Sequence, residues 1–414
     1  MSTSRKGSVA TGRKGSVVDP NNPHVILSQL MSAGSDLAQG RPGAREQLLN
    51  LSHALITSLE LPSEAIQRIG WAEPARTAHL RIAVDLNLFT HLRDSGPSGT
   101  TPSDLSSATG ADPILLNRIL KHLAAMNIVS ETESGNFAST PLSNAFAEER
   151  YRDGLLYTYD VSGPSFRHLP EYLRSINYKL PTTLRKGPFQ AAHKTDLPFF
   201  EWLARNPEYA RAFDSYMSAY RAKKACWMNP DFYPISDRLI KGFDCGTSEV
   251  FLVDVGGGRG HDLAELMEKQ PSVPGKLVLQ DKEDVVSSSV LRNRHIKAMA
   301  HDFFTPQPVV GARAYYLRSV LHDWDDEDCV RILENLKPAV KKGYSRVLIN
   351  EIVVPDKGAT WPVTSMDQLV FVLGAMRERT EADWRAILER AGYRITQVYT
   401  CEMGSESLIE AELV

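Results

Sequence analysis

The spacing of hydrophobic positions changes along the chain, from helical intervals in the first half to short apolar runs punctuated by glycine in the second. Residues 24–60 predict two helices, with Val25, Leu27, Leu30 and Met31 on one face and Leu48, Leu49, Leu51, Leu55 and Leu59 available in the other. Leu80, Val84, Leu88 and Leu92 recur every fourth residue and predict one long helix over about 73–93. Thr101-Pro102-Ser103-Asp104 then reads as the capped start of a short helix. Asp112-Pro113 starts the next, Ile114 to Met126, with Asp112 as cap and Pro113 in the first turn. Ser130 to Thr140 predicts a small hairpin turning at Ser134-Gly135-Asn136. Helices followed by such a hairpin have the pattern of a winged helix.

Residues 150–240 are helical and rich in aromatic and apolar side chains, among them Tyr157, Phe166, Phe189, Phe199, Trp202, Phe213, Tyr216, Trp227 and Met228. From about residue 244 strands and helices alternate, as in a doubly wound α/β sheet. The strands predicted are 250–255, 276–281, 296–300, 312–317, 345–349, 393–399 and 407–411, the last two forming a hairpin around a turn that contains Gly404.

The most informative run is Val253-Asp254-Val255-Gly256-Gly257-Gly258-Arg259-Gly260-His261, a buried strand leading through four glycines into a helix. A dinucleotide loop wants G-x-G-x-x-G/A, and here His261 stands at the third small position; no G-x-x-x-x-G-K-[ST] follows, which excludes a P-loop. Instead Asp254 closes one strand and Asp281 the next, where a carboxylate can accept from a ribose diol. A glycine loop with acids at two strand ends suits S-adenosylmethionine.

Asp254-Val-Gly-Gly-Gly, Leu279-Gln-Asp281, His301-Asp302-Phe303-Phe304, Leu321-His322-Asp323-Trp324 and Glu378-Arg379-Thr380-Glu381 occur in an order and spacing that resemble the S-adenosylmethionine-dependent O-methyltransferases of plant phenolic and fungal secondary metabolism, over about residues 60–414. The resemblance implies a class I methyltransferase (Rossmann-like) domain preceded by an α-helical, winged-helix-like dimerisation domain. The expected organisation is a disordered basic tail (1–22), the dimerisation domain (23–150), a helical substrate-pocket segment (151–243) and the cofactor domain (244–414). By the same resemblance the cofactor lies against Asp254, Gly256, Gly257, Gly258, Asp281, Asp302, Phe303 and Arg318, with Trp324 as a further apolar wall; for Arg318 a structural ion pair is the competing reading. His322 is implied as general base, with Glu351 and Glu378 beside it to orient the imidazole. Some fungal relatives of this fold keep the cofactor unconsumed and accelerate dehydration or pericyclic ring closure. In that alternative His322 is a donor or acid/base, and Lys337 or His168 would polarise a carbonyl.

Composition narrows the field further. The 47 basic and 50 acidic side chains nearly cancel, so no global field favours nucleic acid or an anionic membrane. Arg118, Lys121 and His122 give the third helix a thin basic footprint for a DNA reader. Cys226, Cys245, Cys329 and Cys401 are scattered, without metal-ligand or disulfide spacing, as expected of reduced thiols in a cytoplasmic protein. No apolar run reaches transmembrane length. Arg5-Lys6-Gly7-Ser8-Val9 recurs as Arg13-Lys14-Gly15-Ser16-Val17, a basic repeat expected to be disordered, with Ser8 and Ser16 as phosphorylation sites the alternative. The expected partners are an aromatic or polyketide-like small molecule and a second copy of the chain, with no metal, nucleic acid or membrane.

Overall fold

The computed structural model describes residues 22–181, 183–220, 226–230, 232–287, 295–374, 376–400 and 405–414. The basic repeat, Cys401 and the turn at Gly404 lie outside these residues. The chain divides into two compact units, Met1–Ala72 and Glu73–Val414, a boundary inside the segment expected as one module over 23–150. In the first unit, helices Pro23–Ala38 and Ala44–Leu59 form as the sequence predicts, followed by Pro62–Gln67 and a wide turn, Arg68–Ala72. Arg68 clasps Glu60 through two hydrogen bonds of 2.6 and 2.9 Å.

The second unit opens with Glu73–Asp85, and here the expected long helix fails. Asn87 adopts φ 51°, the left-handed region in which asparagine is among the few tolerated side chains, and a new helix, Leu88–Asp94, leaves at a different angle. The capping signals hold: Thr101 Oγ1 accepts from Asp104 N–H at 3.1 Å, and Asp112 Oδ1 accepts from Ile114 and Leu115 N–H at 2.8 and 3.0 Å. Strands β1 (Ser130–Glu131) and β2 (Phe137–Ala138) pair antiparallel as the expected hairpin. Leu88, Phe89, Leu116, Leu120 and Leu123 form the core of this region. Of the basic residues on helix Pro113–Ala125, Lys121 is paired with Glu131 at 2.6 Å and His122 packs edge-on to His79.

The main sheet is built from β3 (Val250–Val255), β4 (Lys276–Asp281), β5 (Ile296–Ala300), β6 (Ala314–Arg318) and β7 (Arg346–Glu351). A short parallel pair, β8 (Val353–Val354) with β9 (Arg379–Thr380), follows, and β10 (Tyr393–Thr400) and β11 (Ser407–Leu413) complete the set. The order across the sheet is β5-β4-β3-β6-β7-β11-β10. The first five are mutually parallel, whereas β11 runs antiparallel to β7 and β10 antiparallel to β11, the terminal hairpin predicted. Side chains alternate across it: Val253, Val255, Tyr315, Leu317, Val347 and Ile349 pack on Leu333, Trp384 and Ile387. Phe251, Leu277, Leu279, Tyr316 and Leu348 pack on the other face against Trp227, Tyr233 and Leu266. Trp227 and Met228, from the aromatic and apolar stretch before the sheet, are therefore sheet core. Tyr157, Phe189, Phe199 and Phe213 form a separate edge-to-face cluster that packs against Val370, Leu373 and Met376. No helix among the described residues is long and apolar enough to cross a membrane.

Candidate active site and cofactor loop

Chain order reverses between β3 and β6, so the crevice beyond their carboxyl ends is the topological switch point where ligands of such sheets bind. The glycine loop leaves β3 there. Gly256 and Gly257 N–H both donate to Gln280 O, at 2.8 and 3.0 Å, which folds the loop back over β4. Gly256 has φ +75°, and a Cβ on it would stand 2.8 Å from Val320 Cγ2. A Cβ on Gly257 would stand 2.4 Å from Asp254 Oδ2 and 2.6 Å from Leu279 Cδ1. Over Gly258 the space is open, with nothing within 4 Å of a Cβ position. Gly258 N–H donates to Asp281 Oδ2 at 2.8 Å, and Lys282 N–H donates to Asp281 Oδ1 at 2.8 Å. Each Asp281 oxygen thus keeps accepting capacity for a further donor; burial raises the pKa of this carboxyl, and the two backbone donors pull it back. Next in the crevice, Asp302 Oδ1 accepts from Phe304 N–H at 2.9 Å, and Phe303 packs edge-on to Trp324 with its ring 3.7 Å from the Gly256 Cβ position.

His322 lies in a tight turn, Leu321–Asp323, that follows β6. Two distant strands bring carboxylates to it. Glu351, at the end of β7, accepts through Oε1 from the backbone N–H of Val320, Leu321 and His322 at 3.0, 2.9 and 3.4 Å, while its Oε2 stands 3.7 Å from His322 Nδ1. The β8–β9 pairing sets Glu378 alongside, where Oε1 accepts from His322 Nδ1–H at 2.9 Å. Asp323 Oδ1 approaches the other ring nitrogen, Nε2, to 3.5 Å. Burial disfavours the imidazolium, yet Glu351, Asp323 and Glu378 outweigh it and hold the His322 pKa well above its ordinary value. Burial likewise pushes Glu351 up to about 7 and Asp323 up to about 6, against the pull of His322. One nitrogen of His322 and one carboxylate oxygen each of Glu351 and Glu378 lie within 4.8 Å of one another. The 2.9 Å contact between His322 and Glu378 has the length of a charge-assisted hydrogen bond.

The candidate residues Asp254, Gly256, Gly257, Gly258, Asp281, Asp302, Phe303, Arg318, His322 and Glu351 stand at or just beyond the carboxyl ends of the parallel strands, and Glu378 reaches His322 from the head of β9. Arg318 forms an ion pair: its guanidinium makes 2.9 and 2.7 Å hydrogen bonds to Glu406 and stands 3.7 Å from Asp262. Lys337 follows the 11-residue helix Asp326–Leu336, which carries it about 16 Å back along the sheet. His168 faces Glu171 at 3.6 Å on helix Gly163–Ser175. Sequence reasoning gave no role to Asp323, although its place beside His322 in Leu321-His322-Asp323-Trp324 was the available signal. It also missed Glu406 and Asp367, whose Oδ1 accepts Glu378 N–H at 3.0 Å; no local pattern marks either.

Comparison with known proteins agrees with this geometry. A profile of the O-methyltransferase domain matches residues 187–394, and one of the O-methyltransferase dimerisation domain matches 75–149. The chain is 48% identical over 394 residues to the O-methyltransferase mpaG of Penicillium brevicompactum, covering 95% of this chain and 99% of that one. A solved structure described as a pericyclic reaction enzyme is similar with a TM-score of 0.85 at 28% identity, over 94% of this chain and 99% of its own. OxaC, in complex with SAH and oxaline, is similar at 0.83 and 27%, over 95% and 99% of the two chains. With half of its length matched by the domain profile and nearly all of it aligned to mpaG, the chain belongs to the O-methyltransferase family.

Proposed function

We propose that this protein transfers a methyl group from S-adenosylmethionine to a hydroxyl of an aromatic or polyketide-derived small molecule, with His322 as general base. The observation that carries the reading is the hydrogen bond from His322 Nδ1–H to Glu378. It selects the tautomer whose Nε2 is the acceptor in the neutral ring. A protonated phenol or enol is a poor nucleophile, and Nε2 removes its proton as the oxygen attacks. Glu378 orients the ring and balances the charge that forms; Glu351 holds the turn from the backbone side. Asp323, whose Oδ1 stands 3.5 Å from Nε2, adds to the negative field that stabilises the imidazolium as it forms.

The residues fit the cofactor. Bound S-adenosylmethionine supplies the electrophilic methyl group. Asp254 and the Gly256-Gly257-Gly258 backbone would hold it over the open side of the loop, Asp281 would accept from its ribose hydroxyls, and Asp302 and Phe303 would meet the adenine edge and face. Arg318, held by Glu406 and Asp262, stands at the same end of the sheet as a further cofactor contact. The dimerisation-domain match supports a homodimer, and free Cys226, Cys245 and Cys329 accord with a cytoplasmic location. We assign 244–414 to cofactor binding and 151–243 to the acceptor side.

The likeness to a pericyclic reaction enzyme favours one second reading, ring formation with the cofactor unconsumed. Incubation with methyl-labelled cofactor and a panel of phenolic, pyridone and polyketide acceptors separates the two. Label in the product together with S-adenosylhomocysteine supports methyl transfer; an unlabelled isomeric or dehydrated product that still requires cofactor supports the alternative. His322→Ala is expected to lower turnover by at least about 100-fold and leave cofactor affinity within about twofold. Unchanged turnover would remove His322 from the reaction.

A further inference from the structure

The motif that supplies Glu378 places a second side chain against the same turn. Arg379 is 0% exposed, and its guanidinium spans the turn from end to end. Nη1–H donates to Leu321 O at 2.9 Å and Nη2–H to Trp324 O at 2.7 Å, the two carbonyls that flank His322-Asp323. Nε–H and Nη2–H both donate to Asp326 Oδ1, at 3.0 and 2.9 Å, and the plane lies 5.3 Å from the Trp384 ring. The neighbouring Arg377 N–H donates to His322 O at 3.3 Å.

The turn needs holding. It is entered through Ser319 at φ 48°, a left-handed conformation that costs a serine energy and persists only where surrounding contacts impose it. Glu351 satisfies the N–H groups at the start of the turn, and Arg379 satisfies the carbonyls on either side of the imidazole. Without the fork, Leu321 O would keep the Trp324 N–H at 3.2 Å and the weakly donating Cys329 thiol at 3.1 Å, whereas Trp324 O would keep, among the described residues, only that thiol at 3.6 Å. A fully buried guanidinium is costly to desolvate, so a fork in this place points to geometry rather than net stability as its contribution.

We propose that Arg379 is a positioning residue for His322: its buried fork fixes the Leu321–Trp324 turn so that the imidazole stays against Glu378. The inference rests on His322 being the reactive base. Its test needs no acceptor substrate. The full-length protein, labelled with 15N-histidine, is titrated by NMR, with the His322 signal identified by its loss in His322→Asn. Wild type is expected to show a far-downfield Nδ1–H proton and a titration well above the ordinary histidine value. Arg379→Met and Arg379→Lys are both expected to lose that proton and to titrate lower by about one pH unit or more, the shift that follows from losing one charge-assisted hydrogen bond. Loss of charge alone acts the other way, because removing a nearby cation raises a histidine pKa. An upward shift in Arg379→Met, or an unchanged titration in both variants, overturns the proposal. If Arg379→Met does not fold, Asp326→Ala removes the acceptor that holds Nε–H and Nη2–H of the fork, and an unchanged His322 signal there overturns it equally. Failure of the base assignment reads differently: His322→Ala would then turn over like wild type in the labelled-methyl assay, whatever the NMR shows.

Discussion

Replacing Glu378 by glutamine tests the proton-handling site with almost no change of shape. The carboxylate is buried, its Oε1 accepts from His322 Nδ1–H at 2.9 Å, and its Oε2 has no hydrogen-bond partner among the described residues. The amide oxygen introduced by Glu378→Gln can keep the hydrogen bond, but the bond loses its ionic partner. Hydrogen bonds to charged groups contribute about 1.5–3 kcal/mol, against about 1 kcal/mol for a neutral pair. At 1.36 kcal/mol per pH unit, the difference lowers the His322 pKa by roughly one unit. The imidazole must be neutral to accept a proton, so turnover rises with pH through the His322 pKa. The acid limb of the kcat profile should therefore move to lower pH by about one unit in Glu378→Gln. The plateau should fall by about 10-fold or more, because the variant stabilises the imidazolium less as it forms. Initial rates with methyl-labelled cofactor from pH 5 to 9 would show both effects, and calorimetry should find affinity for S-adenosylhomocysteine within about twofold of wild type. An acid limb that does not move, or moves upward, would refute the claim that Glu378 raises the His322 pKa.

Other perturbations have equally definite outcomes. Gly257→Ala places a methyl 2.4 Å from Asp254 Oδ2; the overpacking should cost about 1–3 kcal/mol and weaken S-adenosylhomocysteine binding by 10-fold or more, as calorimetry would show. Asp281→Asn should weaken cofactor binding by about 10-fold or more with little change in Tm, since the amide can still accept from Gly258 N–H but presents fewer acceptors to a diol. Glu351 carries a raised pKa, so the folded state holds a proton that the unfolded chain releases, and the contribution of this group to stability declines as pH rises from about 4.5 to about 7. Glu351→Gln removes that decline. In denaturant titrations its stability relative to wild type should grow with pH across this window, by up to about 3 kcal/mol, and a flat or falling difference would contradict the assignment.

Where pattern is local, the sequence was readable. The strands from Val250 to Ala300, the caps at Thr101 and Asp112, and the hairpin at Ser134-Gly135-Asn136 depend on neighbouring residues and appear as expected. The helix break at Asn87 was hidden because the four-residue apolar spacing runs through it without interruption; only the left-handed backbone there shows the change of direction. The site divides in the same way. Motifs pointed to His322 and Glu378 and a strand end to Glu351, and the three side chains do come together although 56 residues separate the histidine from Glu378. Arg318 could not be decided from sequence, because the acid that pairs with it lies 88 residues away, at the head of another strand. Asp323 was overlooked because adjacency in sequence does not say which ring nitrogen it faces.

The position of β11 has a consequence for synthesis. Residues 407–413 do not trim the edge of the sheet; they pair with β7 on one side and β10 on the other, and Glu406 at their head fastens Arg318 and Asn350. Until the ribosome has delivered this segment, β7, the strand that carries Glu351, is an open edge, and Arg318 on β6 lacks its partner Glu406. A nascent chain therefore passes through a stage in which nearly all of its apolar core exists but an unpaired strand is offered to other chains, the setting in which aggregation competes with folding. Scrambling residues 405–414 alone would leave every glycine-loop and histidine-turn residue intact and still be expected to yield inclusion bodies.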